Sequence, residues 1–210
     1  MSLSAKICGL STEATLSAAL TNGASHVGFV AFAASPRNLD PVTLAGLSAK
    51  VPGHVGRVGV LVDPDDDLLA AVAPHLDTLQ LHRTSPERAA AIRARYAREI
   101  WAAVAVKTRA DLDVARTYTG AADRILYDAR TPDDAALPGG MGLRFDWGLL
   151  DGFRHPLPWL LSGGLDAGNV ADAARRTGAS LVDVSSGVET APGIKDVSKI
   201  GNFLKAVAAL

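Results

Sequence analysis

The chain has 210 residues, 48% of them hydrophobic, which is ample for a packed core and argues against disorder. Its net charge is −1, with acids and bases interspersed, so nothing favours a polyanion and a nucleic-acid partner is not expected. No apolar run approaches the roughly 18 residues of a membrane span, and the opening MSLSAKICGL lacks the long apolar stretch of a signal peptide, so the expectation is a cytoplasmic protein with no membrane partner.

Two patterns alternate from the first residues onward. Ser4–Cys8 reads as a strand, followed by a helix from Thr12 to about Asn22 with Gly23 as its stop. His26–Val30 is the second strand, and Asp40-Pro41 opens the second helix as N-cap and first turn. Val55–Val62 is the third strand, with a helix after Asp63-Pro64 to about Ala73. Thr78–His82 is the fourth, and Ser85 caps a helix from Pro86 to about Ala97. Ile100–Val106 is the fifth, followed by a helix from about Arg109 to Tyr118. Arg124–Asp128 is the sixth, followed by a Gly-rich loop and a short helix from about Asp146. Trp159–Ser162 is the seventh, with a helix from Asp166 to Arg176. Leu181–Ser185 is the eighth, and Ser198–Leu210 the last helix.

Eight strand–helix units with no run of successive strands imply parallel pairing and right-handed crossovers. In a chain this short they predict one α/β domain over residues 1–210, a closed (β/α)₈ TIM barrel. An open doubly wound sheet is the alternative, but its usual G-x-G-x-x-G turn after the first strand is replaced here by Cys8-Gly9-Leu10-Ser11.

A (β/α)₈ barrel carries its active site at the C-terminal ends of its strands. Those ends hold Cys8, the loop to Arg37, Asp63, His82, Lys107, Asp128, Ser162-Gly163-Gly164 and Ser185-Ser186-Gly187. The two Gly-containing turns follow strands seven and eight, the usual phosphate site of this fold, and successive N–H groups there form an anion nest. Gly163, Gly164, Ser185, Ser186 and Gly187 are therefore the phosphate candidates. Cys8 and Asp128 are candidates for moving protons, since a thiolate can take one and a carboxylic acid can give one. For each there is a plainer reading. Cys8, the single cysteine, could be a small buried hydrophobe, Asp128 a turn cap and Arg37 a solvated loop charge. His82 could be a ligand or an acid/base group, whereas the other histidines are scattered without metal-ligand spacing.

Taken together and in order, these pieces resemble one family. Lys6-Ile7-Cys8-Gly9, Val27-Gly28-Phe29-Val30, Ser35-Pro36-Arg37, Arg57-Val58-Gly59-Val60 and Leu79-Gln80-Leu81-His82 are similar to signatures of phosphoribosylanthranilate isomerases. So are Phe145-Asp146-Trp147, Leu161-Ser162-Gly163-Gly164-Leu165, Asp183-Val184-Ser185-Ser186-Gly187-Val188-Glu189 and Pro192-Gly193-Ile194-Lys195-Asp196. The resemblance implies an Amadori rearrangement in tryptophan biosynthesis, acting on a phosphorylated small molecule without cofactor or metal. It implies Cys8 as general base, Asp128 as general acid, Arg37 as the contact for the anthranilate carboxylate, and Asp183 as a substrate-orienting group. Such chemistry calls for a raised Asp128 pKa and a modestly lowered thiol pKa. Arg83, after His82, and Met141, in the Gly-rich loop, depart from the family's usual Gly and hydroxyl residue.

Two rivals remain at this point. The related isomerase of histidine biosynthesis resembles a device of two aspartates, but Cys8 stands where the first would be, and only one pair of phosphate loops is present. A phosphate-binding barrel without catalysis would need neither Cys8 nor Asp128. Composition leaves a monomer and a homodimer equally open.

Overall fold

The computed structural model describes residues 3–132 and 139–210; residues 133–138, in the connection after the sixth strand, lie outside the described residues. Eight parallel strands close into a barrel in sequential order. They are β1 (Ser4–Cys8), β2 (His26–Ala31), β3 (Gly56–Val62), β4 (Thr78–His82), β5 (Glu99–Val106), β6 (Arg124–Ala129), β7 (Trp159–Leu161) and β8 (Leu181–Val184). The barrel closes where β1 pairs with β8, in a register that sets Lys6 opposite Asp183.

Alternation along each strand sorts its side chains. Ile7, Val27, Phe29, Leu79, Leu81, Ile100, Ala102 and Ile125 belong to the main core, with helix residues such as Leu16, Leu44, Leu69 and Ile92. The neighbouring positions fill the barrel in layers. Val58, Trp101, Leu126, Leu160 and Leu181 form one cluster, and Cys8, Val30 and Val60 form another with Phe32. This is the packed interior expected of a small barrel, and it makes the strand ends the floor of a site rather than the mouth of a channel.

The helices are α1 (Glu13–Thr21), α2 (Pro41–Ser48), α3 (Asp66–Val72), α4 (Pro86–Tyr96), α5 (Val114–Thr117), α6 (Val170–Thr177) and α7 (Val197–Ala208). Asp40 and Ser85 cap as the sequence predicts, accepting from the amides of Val42 and Thr43 and of Arg88. Elsewhere the helix starts differ. Asp65 rather than Asp63 caps α3, through the amide of Leu68.

The helix expected from Arg109 to Tyr118 is a 3₁₀ segment, Arg109–Asp113, with one α-turn after it, and Thr108 and Asp111 form a capping box at its start. The helix expected from Asp166 begins at Val170. Asp166 turns its carboxylate onto the amides of Gly168 and Asn169, which holds a local turn instead. The segment after Asp146 is a single 3₁₀ turn, Trp147–Leu150. A short antiparallel hairpin unforeseen in the sequence, β9 (Glu189–Ala191) and β10 (Ile194–Lys195), follows the eighth strand.

Candidate active site

A cavity opens at the C-terminal ends of the strands. Cys8, Arg37, His82, Asp128, Ser162, Gly163, Gly164, Ser185 and Ser186 line it, together with Asp183, which the family resemblance singled out, whereas Asp63 and Lys107, also at strand ends, are not among the lining residues. Gly187 is the exception among the phosphate candidates. Its backbone packs against the carbonyl of Leu165 in the neighbouring loop, which joins the two phosphate loops rather than facing a ligand.

The floor is polar and buried. Cys8 lies two residues beyond Lys6 on β1, so both point inward. Lys6 Nζ donates to Asp183 Oδ1 at 2.8 Å, and Ser162 Oγ donates to Asp183 Oδ2 at 3.2 Å. Burial works against the Lys6 ammonium, but Asp183 and Cys8 outweigh it and raise its pKa.

Asp128, only 7% exposed, closes the inward-facing run of β6. Its Oδ1 accepts from the amide of Ala129 at 2.9 Å. A cap would instead accept from an amide two or three residues on, so the turn-cap reading is not supported. Burial first, and the negative charge of Asp183 second, push the Asp128 carboxyl up to about 7, against the Ala129 amide, Lys6 and Ser162. The raised pKa expected from the sequence is present.

The thiol differs from expectation. Burial raises the Cys8 pKa, and although Lys6 and Lys195 pull it down, Asp183 adds to the burial effect. A modest lowering is thus not a property of the empty site, because removing a thiolate from water costs more than two nearby ammonium groups return.

His82 is held neutral. Burial and the charge of Lys6 depress its pKa to about 4, and its Nε2 lies 2.9 Å from Gln80 Nε2. The left-handed backbone of Arg83, at φ 52°, explains why Gly is the easier residue at this departure from the family pattern.

At Gly163 φ is 92°, and a Cβ there would sit 2.9 Å from the Ala129 amide nitrogen and 3.0 Å from Asp128 Oδ1. The Ser162–Gly164 turn therefore passes directly over the carboxyl, which a larger residue would push away. Gly139, Gly140, Met141, Gly142 and Leu143 also line the cavity, so the Gly-rich loop lies over it with Met141 at its rim.

The largest revision concerns Arg37. It is neither a solvated charge nor an open fork. Only 4% exposed, it donates through Nε and Nη2 to the two carboxylate oxygens of Glu189, both at 2.7 Å, and Nη2 also donates to the Gly140 carbonyl at 2.9 Å. Among the described residues only Nη1 has no partner. A ligand carboxylate must therefore meet Arg37 at Nη1, and the two-pronged grip expected from the sequence is already spent on Glu189.

Strand-end reading missed several residues of this site. Phe32, in the loop leading to Arg37, lines the cavity, as does Gln80 from within β4. Glu189 and Lys195, from the β9–β10 hairpin, do not line the cavity but stand behind Arg37; their signal was present in the family-like motifs around them but not in any strand end. No group of three or more His, Cys, Asp or Glu side chains that could hold a metal occurs among the described residues.

Comparison with known proteins agrees with this geometry. The profile of the family described as N-(5'phosphoribosyl)anthranilate (PRA) isomerase matches residues 5–206. The chain is 55% identical over 213 residues to N-(5'-phosphoribosyl)anthranilate isomerase of Zymomonas mobilis subsp. pomaceae, covering 100% of both chains. Among solved structures, it resembles phosphoribosyl anthranilate isomerase from Thermotoga maritima with a TM-score of 0.85 and 33% identity, over 99% of this chain and 100% of that one. A second, at TM-score 0.82 and 30% identity over 99% of this chain and 100% of the other, is a phosphoribosyl anthranilate isomerase in complex with reduced 1-(o-carboxyphenylamino)-1-deoxyribulose 5-phosphate. The barrel, the cavity at its strand ends and these full-length matches lead to one conclusion: the chain belongs to the N-(5'-phosphoribosyl)anthranilate isomerase family, the aldose–ketose isomerases of tryptophan biosynthesis.

Proposed function

We propose that residues 1–210 act as one catalytic domain in which Asp128 is the general acid and Cys8 the general base of the family's Amadori rearrangement. Asp128 gives its proton to the furanose oxygen as the ring C–O bond breaks, and the anilino nitrogen's lone pair forms the Schiff base. The Cys8 thiolate then takes the proton on carbon 2, giving an enolamine that tautomerises to the ketone. Each step is acid/base work on a bound molecule.

The observation that carries this reading is the shared cavity. Cys8 and Asp128 line it together, and burial keeps Asp128 protonated to about pH 7, where an ordinary carboxyl has lost its proton. The Ser162–Gly164 and Ser185–Ser186 turns supply amides and hydroxyls for the phosphate, Arg37 Nη1 takes the anthranilate carboxylate, and Asp183 and His82 orient the sugar between them. Every residue named comes from one chain, so a monomer or a homodimer would carry a complete site. No residue of it calls for a cofactor in this chemistry. No helix among the described residues is long and apolar enough to cross a membrane, and a phosphorylated substrate fits a cytoplasmic enzyme.

The test is the pH dependence of kcat/KM, followed by loss of fluorescence of phosphoribosylanthranilate made in situ. The reactive form pairs a thiolate with a carboxylic acid. With the thiol raised and the carboxyl near 7, that form is a minor one, most populated between the two pKa values. The profile should be a bell with its acid limb near 7 and its alkaline limb above the ordinary thiol range. A flat profile through pH 7 would refute the pairing.

A further inference from the structure

The Arg37 guanidinium is held from behind. Glu189, 7% exposed, takes Arg37 Nε and Nη2 at 2.7 Å each, Lys195 Nζ at 2.7 Å and the Gly193 amide at 3.3 Å. The other two protons of Lys195 go to the Ser185 carbonyl at 2.9 Å and Oγ at 3.1 Å. Arg37 also lies flat over Gly9, where a Cβ would come within 2.6 Å of its Cδ. Burial opposes the charge on Glu189, but hydrogen bonds from Arg37 and Lys195 win and hold its carboxyl below the usual range.

Two features follow from counting donors and charges. Among the described residues the ammonium is saturated and the guanidinium has two N–H groups left, both on Nη1. Two buried cations, Arg37 and Lys195, face the one carboxylate of Glu189, so among the described residues one positive charge of this cluster has no carboxylate of its own. A charge in so dry a place is costly until an anion meets it.

We propose that Glu189 is a positioning residue that makes the site select ligands bearing a carboxylate on the aryl ring. It clamps the Nε–Nη2 edge of Arg37, fixes the direction of Nη1, and through Lys195 ties that grip to the Ser185 turn on the phosphate side. A ligand with the carboxylate neutralises the remaining charge. A ligand without it closes the cavity over an unpaired cation, so the discrimination comes from a penalty as well as a contact. This inference rests on the assignment of Arg37 to the carboxylate made above.

The experiment uses two ligands: reduced 1-(2-carboxyphenylamino)-1-deoxyribulose 5-phosphate, and its reduced phenylamino counterpart lacking only the carboxylate. Their Kd values are measured by calorimetry for the wild type, Glu189→Gln, Arg37→Ala and the double variant. Glu189→Gln should weaken the carboxylate ligand about tenfold or more while moving the other by no more than about threefold, as expected for a charge-assisted pair. Its KM should rise with kcat little changed. In the Arg37→Ala background the same substitution should cause no further selective loss.

Equal losses for both ligands in Glu189→Gln would show that Glu189 merely supports the hairpin and overturn the proposal. So would additive losses in the double variant. If Arg37→Ala itself costs both ligands alike, the assignment of Arg37 falls first and the proposal with it, an outcome distinct from selective loss in Arg37→Ala without it in Glu189→Gln. Should Glu189→Gln fail to fold, Glu189→Asp keeps the charge and withdraws it by one methylene. It should give the same selectivity of loss in smaller measure, and an equal loss for both ligands would again overturn the proposal.

Discussion

Lys6 and Asp183 stand opposite each other across the seam that closes the barrel, with 2.8 Å between Nζ and Oδ1 and neither side chain more than 5% exposed. Their pairing sets the electrostatics of the site floor, because Lys6 lowers and Asp183 raises the pKa of both Cys8 and Asp128. Asp183→Asn removes the negative charge and keeps the shape. The acid limb of the kcat/KM profile should then move below 7, and the buried Lys6, left alone, should cost about 3–5 kcal/mol of stability by urea denaturation. An acid limb that stays in place would mean that another group governs it.

The raised pKa of Asp128 also has a consequence for stability. An unfolded aspartate titrates near 4 and the folded one near 7, so between those values the folded state binds more protons. Stability therefore falls as pH rises through that window and stays lower above it. Asp128→Asn removes the group that titrates. Its Tm should exceed that of the wild type at pH 8, by an amount worth up to a few kcal/mol, and the difference should vanish near pH 4. Parallel Tm curves for the two proteins from pH 4 to pH 8 would show an ordinary carboxyl at this position.

Arg83 holds a left-handed backbone at φ 52° on an exposed residue immediately after His82. Holding a non-glycine residue there costs about 1 kcal/mol or more, which glycine avoids while losing more entropy on folding. Arg83→Gly should leave Tm unchanged or slightly raised and should not alter kcat. A clear drop in Tm would mean that the arginine makes a contact outweighing its strain.

Much of this molecule could be read before its structure was known, and the reasons are physical. Parallel strands buried on both faces are continuous apolar runs, so a polar residue at the end of one stands out, as Cys8, His82 and Asp128 do, while Asp183, inside the eighth strand, was marked by the family resemblance alone. All four line one cavity. What escaped reading depends on contacts without a local signature. The Arg109–Asp113 segment is wound as 3₁₀ where the spacing read as α-helix, a difference that a period in the sequence does not carry. Glu189 and Lys195 lie beyond the eighth barrel strand and reach Arg37 only because the hairpin folds back against the loop holding Pro36. Arg37 was recognisable as functional, but that its fork is occupied by a residue 152 positions away could not be seen in either segment alone.

The most direct measurement of the whole account compares turnover with binding in Cys8→Ala and Asp128→Asn. Turnover is followed by fluorescence loss of phosphoribosylanthranilate, and binding by titration with the reduced product analogue. Both folded variants should bind the analogue within a few-fold of the wild type and lose at least about 10²-fold in kcat, the lower end of what a positioned acid or base contributes. Near-wild-type turnover in either variant would contradict the account and pass the proton transfer to another group in the cavity, with His82 first in line.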